Sequence, residues 1–137
     1  MRYWLVKSEP GTYSWNDLLR DEATRWDGVR NFQARNNIRA MRRGDLALFY
    51  HSVNERSIPG VARVVSAPYP DPTSRDGDWS AVDVEPAFGL RQPVTLERIK
   101  QEAALRDMVL LRQGRLSVQP VRKEEFEAIV KLGGKTR

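Results

Sequence analysis

Apolar and polar positions change period several times along this chain, and each change predicts an element. Tyr3-Trp4-Leu5-Val6 is an apolar run stopped by Glu9-Pro10-Gly11, which predicts a strand within Arg2 to Lys7. Helix signals follow. Ser14 is an N-cap residue, Asp17 falls at the third helical position and Tyr13 can staple onto Leu18, so a helix is expected to about Arg20. A second helix is expected over Asn31 to Met41, with Ala34, Ile38 and Met41 on its apolar side and Gly44 as its stop. Asp45 to Tyr50 and the valine-rich Pro59 to Val65 read as strands. Ala81 to Glu85 alternates, with Val82 and Val84 pointing one way and Asp83 and Glu85 the other. Thr95 caps a short helix to about Glu102, Leu116 to Val118 is a short strand, and Glu124 to Leu132 is a terminal helix closed by Gly133-Gly134. Ser66 to Ser80, with Pro68, Pro70, Pro72 and Gly77, reads as one long surface loop.

Strands in this order do not alternate regularly with long helices, which argues against a doubly wound parallel sheet. The expected fold is α+β: a partly closed β-barrel of about five to six strands flanked by several helices. Trp4, Phe49, Phe126, Ile129 and Val130 are assigned to its core, and Trp15 and Trp79 suit either core or surface. The 137 residues contain no repeat or linker, so one domain over the whole chain is expected.

Composition removes whole classes of chemistry. There is no cysteine, which excludes disulfide frameworks and thiolate zinc sites, and a single histidine excludes a multi-histidine metal centre. No EF-hand-like run appears, and no cofactor is expected. No apolar stretch approaches the roughly 18 residues of a membrane span, and no signal peptide precedes the first strand, so a cytoplasmic protein without membrane partners is expected. No extra apolar stripe demands a second subunit, and a monomer is expected. The formal charge of +5 and the pI of about 9.9 favour polyanionic partners.

The arrangement of the charge sharpens this. The chain has 18 arginines against 5 lysines, and five of the arginines fall between Arg30 and Arg43 with no acid among them. Asn31, Phe32, Gln33, Asn36 and Asn37 are interleaved; Trp26 precedes the run and Phe49-Tyr50-His51-Ser52 follows it. Arginine grips phosphates with a planar fork, carboxamides read base edges and aromatic faces stack on bases. A solvated helix face would account for the cations alone, but not for their neighbours. The combination points to a nucleic-acid or nucleotide binder.

Several motifs then stand in a recognisable order. They are Tyr3-Trp4-Leu5-Val6-Lys7-Ser8-Glu9-Pro10, Trp26-Asp27-Gly28-Val29-Arg30-Asn31, Gly44-Asp45 with Phe49-Tyr50-His51-Ser52, Gly60-Val61-Ala62, and Gly114-Arg115-Leu116-Ser117-Val118-Gln119-Pro120. Together they resemble the EVE domain family over essentially the whole chain. The resemblance implies a PUA-like fold, shared with PUA, ASCH and YTH domains, and a reader of modified bases. It implies modified cytosine in DNA in the first place, with a modified RNA base as the other option. By similarity to YTH domains, which hold a methylated adenine in an aromatic cage, Lys7-Ser8 and Trp26 would lie at the pocket.

On the residues themselves, Trp26 is the first candidate for a wall on which an extruded base stacks, against a structural role at the core edge. Lys7, Ser8 and Glu9 leave the first strand where its backbone groups become free to meet a base edge. Asn31 is a base contact or the N-cap of the second helix. Tyr50, His51 and Ser52 are expected as pocket wall, Ser117 as a polar contact, and Tyr69 as a possible second wall. Arg30, Arg35, Arg39, Arg42, Arg43 and Arg115 are the expected phosphate contacts, and Asn36 joins Arg35 as a candidate. The expected partner is therefore DNA or RNA carrying a modified base, bound without catalysis. Lacking a second histidine, a cysteine or a Gly-x-Ser-x-Gly elbow, the chain offers no hydrolytic triad. Two other readings remain: a small hydrolase of modified nucleosides using Lys7 and Glu9, and a module binding an acidic peptide.

Overall fold

The computed structural model describes residues 1–75 and 77–136. Among these residues seven strands and five α-helices alternate irregularly: β1 (Tyr3–Ser8), α1 (Trp15–Asp21), β2 (Thr24–Trp26), α2 (Phe32–Ala40), β3 (Leu46–His51), β4 (Ser57–Val64), β5 (Tyr69–Pro70), β6 (Ser80–Thr95), α3 (Leu96–Gln101), α4 (Val109–Arg112), β7 (Val118–Val121) and α5 (Lys123–Gly133). Six strands form a curled half-barrel in the order β2-β6-β4-β3-β1-β7, and β5 pairs with β6 beside that path. The β1–β3 pair is parallel and the other pairs are antiparallel.

Two apolar clusters lie on opposite faces of this sheet, and strand periodicity divides the residues between them. On β1, Trp4 and Val6 join the first cluster and Leu5 the second; on β3, Ala47 and Phe49 join the first, Leu48 and Tyr50 the second. Helices α1 and α2 close the first cluster with Trp15, Leu18, Ala34 and Ile38. Helices α3, α4 and α5 close the second with Ile99, Leu110, Phe126 and Ile129. Full burial of a side chain such as Phe49 contributes about 1.5–3 kcal/mol. The expected core residues Trp4, Phe49, Phe126 and Ile129 are buried, while Val130 is half-buried. Trp15 belongs to the core: its ring lies so close to Gly60 that a Cβ there would stand 2.3 Å from Trp15 Cζ2.

Local signals place the helix starts well. Ser14 and Asp17 form a reciprocal capping box on α1, Asn31 Oδ1 accepts from Ala34 N at 2.9 Å, and Thr95 Oγ1 accepts from Arg98 N at 3.1 Å. The strands depart further from expectation. β6 runs on to Thr95 instead of ending near Glu85, although Pro86, Gly89 and Pro93 read as breakers. Its pairing with β4 shifts register between Ile58 and Gly60 and between Val61 and Ala62; these bulges bend the long ladder and carry it from one core to the other. The strand expected over Leu116 to Val118 forms two residues later as β7, because Gly114-Arg115 turn and Leu116 N donates back to Gln113 O at 3.1 Å. β2 and β5 are too short to show a period, and the stretch read as one loop from Ser66 to Ser80 contains β5. No helix among the described residues is long and apolar enough to cross a membrane.

Candidate nucleic-acid interface

β2 and β7 are the two ends of the sheet path and do not pair with each other. Between these ends lies a cleft of about 770 Å³, within the range common for ligand sites. Three stretches build it: Lys7, Ser8, Glu9, Thr12 and Tyr13 at the end of β1; Thr24 through Asn31 along β2 and the loop after it; and Ser117 before β7. Lys7 N donates to Ser117 O at 2.9 Å, and Asn37 of α2 donates to Val118 O at 2.7 Å, so β1 and α2 hold the β7 side in place.

Trp26 forms the floor. It is only 9% exposed and packs edge-on against Phe49, with ring centroids 5.5 Å apart. It therefore serves both readings at once, lining the cleft and belonging to the first core cluster. Ser8 Oγ donates to the Tyr13 carbonyl at 2.5 Å, which fixes the turn that carries Tyr13 into the cleft wall. The Tyr13 hydroxyl donates to Asp21 at 3.0 Å, and burial first, then Asp21, raise its pKa above the ordinary value, so the phenol stays neutral. Lys7 Nζ donates to the Gly114 carbonyl and lies 5.6 Å from the Tyr50 ring centroid; burial lowers its pKa. Asn31 caps α2 and lines the cleft simultaneously, placing the positive end of that helix at the rim.

The opposite wall depends on a residue that sequence reasoning missed. Asp71, 4% exposed, accepts four hydrogen bonds. Its Oδ2 takes Gly28 N at 2.8 Å and Arg30 Nη1 at 3.0 Å, and its Oδ1 takes Thr73 N at 2.8 Å and Thr73 Oγ1 at 2.7 Å. Burial alone would raise its pKa, but the bonds from Thr73, Arg30 and Gly28 outweigh it and hold the carboxyl well below the usual range. Asp71 thereby ties the loop carrying Gly28, at φ +75°, and Arg30 to Thr73. The only signal in the sequence was an acid within a proline-rich stretch, which does not reveal a partner 43 residues away.

Several expected site residues lie elsewhere. Tyr50, His51 and Ser52 are not in the cleft lining. Tyr50 is 3% exposed and belongs to the cluster on the other face of the sheet, since it alternates with Phe49. His51 Nε2 accepts from Trp15 N at 3.0 Å and so serves the start of α1, and Ser52 N donates to Ser8 O at 2.9 Å. Tyr69 donates its hydroxyl to Asp83 at 2.6 Å outside the cleft; burial and Asp83 push its pKa up to about 12. Arg35 and Arg39 do not project freely from α2. Both pair with Asp78, and Arg39 also donates to Ser80 Oγ at 2.8 Å, because Asp78 and Ser80 lie against the helix. Asn36 accepts from Arg35 Nε at 3.2 Å. Arg42 and Arg43 are exposed beyond the far end of α2, about 13 Å of helix from the cleft rim, and Arg115 is exposed on the turn beside Ser117. These three have no ion-pair partner among the described residues.

The EVE domain profile matches residues 2–132. The chain belongs to the EVE domain family. Human thymocyte nuclear protein 1 is 35% identical over 95% of this chain and 73% of its own length. Its structure in complex with 5-methylcytosine-containing DNA superposes with a TM-score of 0.88 over the whole of both chains. Two bacterial structures are similar too: one from Agrobacterium tumefaciens, with 42% identity and a TM-score of 0.94 over 98% of this chain and 94% of that one, and one from Rhodopseudomonas palustris, with 44% identity and 0.93 over the same shares. An ASCH protein of Zymomonas mobilis shares the fold alone, at 12% identity and a TM-score of 0.62.

Proposed function

We propose that this EVE protein is a non-enzymatic DNA-binding protein that reads a modified cytosine. The base leaves the helix and enters the cleft between β2 and β7, resting on Trp26 with Tyr13 beside it. One observation carries the reading: a relative 35% identical over the entire chain binds 5-methylcytosine-containing DNA in its crystal structure. The cleft of this chain supports it, being partly aromatic, lined by hydroxyls and bordered by Lys7, Arg25 and Arg30. Extrusion of a base costs a few kcal/mol, which phosphate contacts from arginine offset. Lys7, Ser8, Glu9, Asn31 and Ser117 surround the base edge, and Arg30, Arg42, Arg43 and Arg115 meet the backbone. Arg35 and Arg39 act on phosphate only if they release Asp78. A methyl group on cytosine is sensed by contact with the apolar floor, without any charge on the base.

The test uses matched duplexes that differ in one 5-methyl group. Trp26→Phe, and Ser117→Phe placed to fill the cleft from its rim, should remove discrimination between them. Arg43→Ala, remote from the cleft, should weaken both duplexes alike and lower the salt slope by about 1. Equal affinity of the unaltered protein for both duplexes overturns the reading. Turnover of a modified nucleoside would replace it with the hydrolase reading, in which Lys7 and Glu9 act from the same cleft.

A further inference from the structure

Phe32 is the only exposed aromatic side chain among the described residues, at 66%. It is the first residue of α2 and contributes nothing to the core, which the helix meets through Ala34 and Ile38. It is nonetheless held in place. Its ring stacks on Trp79, with centroids 5.1 Å apart and planes 17° from parallel. The Arg35 guanidinium lies 5.0 Å from the Phe32 centroid and 5.8 Å from that of Trp79, and Arg30 lies 5.6 Å from Trp79. Arg35 is in turn fixed by Asn36 and by the Asp78 carbonyl at 3.1 Å, and the Asn31 cap sets the backbone where Phe32 begins. An ordered aromatic pair ringed by arginines thus stands on the surface, directly continuous with Arg30 and Asn31 of the cleft rim.

We infer that Phe32, backed by Trp79, is a wedge that enters the DNA duplex at the position vacated by the base in the cleft. The inference rests on the base-extruding reading above. An apolar wedge stabilises an unstacked step by restoring stacking on the bases left behind. Three features of the surface favour this occupant over an apolar protein partner. The patch is one ring wide, it is bordered by the guanidinium groups of Arg30 and Arg35, with Arg30 still 41% exposed, and it adjoins the cleft through consecutive residues. The stack with Trp79 orders the ring beforehand, so little side-chain freedom is lost on binding.

The test compares Phe32→Ala, Phe32→Leu and Phe32→Tyr on one sequence carrying a single 5-methylcytosine, as duplex and as single strand. A vacancy exists only in the duplex. Phe32→Ala should therefore lower duplex affinity roughly tenfold or more. It should change single-strand affinity less than threefold and leave Tm within about 2 °C, as the side chain is exposed. Phe32→Tyr should retain duplex affinity, with Phe32→Leu between. Equal losses on duplex and single strand overturn the wedge, as does an unchanged duplex affinity in Phe32→Ala. In the last case, an unaltered protein that still prefers the methylated over the unmethylated duplex leaves the cleft reading standing while the wedge falls. If it shows no preference for the methylated duplex, the cleft reading has failed and the wedge falls with it.

Discussion

Asp71→Asn is the perturbation that most directly probes how the cleft is held. The substitution keeps size and shape but leaves one oxygen where two accepted four hydrogen bonds. The new amide nitrogen must face two donors, either Gly28 N with Arg30 or the two groups of Thr73. The Asp71 side chain is fully buried and Arg30 is 41% exposed, so the ion pair is partly screened and belongs at the low end for charged partners. Two lost bonds to a carboxylate, whichever pair the amide nitrogen faces, then cost about 2–4 kcal/mol. For a chain of this length that lowers Tm by on the order of 10 °C. The loss should depend on pH. Because the Asp71 carboxyl is held below its ordinary pKa, the unfolded chain binds more protons near pH 4 than the folded one, and stability rises with pH there. The margin of the unaltered protein over Asp71→Asn is complete above about pH 4 and shrinks as pH falls below it. The assay is thermal unfolding of both proteins between pH 3 and 7, paired with binding to the methylated duplex at pH 7. Binding should weaken because residues 28–30 lose their tie, although Asp71 is not itself in the cleft lining. A Tm within 2 °C of the unaltered protein, or a margin constant down to pH 3, would refute the reasoning.

Two further outcomes follow from the packing. Gly60→Ala places a methyl 2.3 Å from the Trp15 ring, and overpacking of this kind costs about 1–3 kcal/mol; a lowered denaturant midpoint with unchanged m-value is expected. His51 must stay neutral at Nε2 to accept from Trp15 N, and burial, opposed by Glu55, lowers its pKa. The unfolded chain then takes up the proton first, so stability should fall as pH drops below about 6.5, and the fall should be absent in His51→Gln when both are followed by chemical denaturation.

Much of this protein was legible without coordinates because the relevant physics is local. The caps at Ser14, Asn31 and Thr95 depend on side chains within three residues of the backbone groups they satisfy, and each helix begins where they say. The alternation of Val82 with Asp83 likewise reports a strand with one buried face, and the ordered motifs announced the EVE family. The cleft is partly legible: Lys7, Ser8, Glu9, Trp26, Asn31 and Ser117 stand in the sequence motifs and line it together. What could not be read depends on pairing between distant segments. Tyr50 adjoins Phe49 in sequence, yet strand parity sends the two rings into different cores. Arg35 and Arg39 look like free cations until the tertiary structure brings Asp78 onto them. Asp71 and the Phe32–Trp79 stack have no local signature at all. The sequence by itself determined four of the five helices described, though not the single turn of α4, together with the two-faced strands and the surplus of arginine. Only the tertiary structure decided which arginines are paired, which aromatics are buried and where the sheet stays open, because each of those is a contact across tens of residues whose geometry no short-range preference encodes.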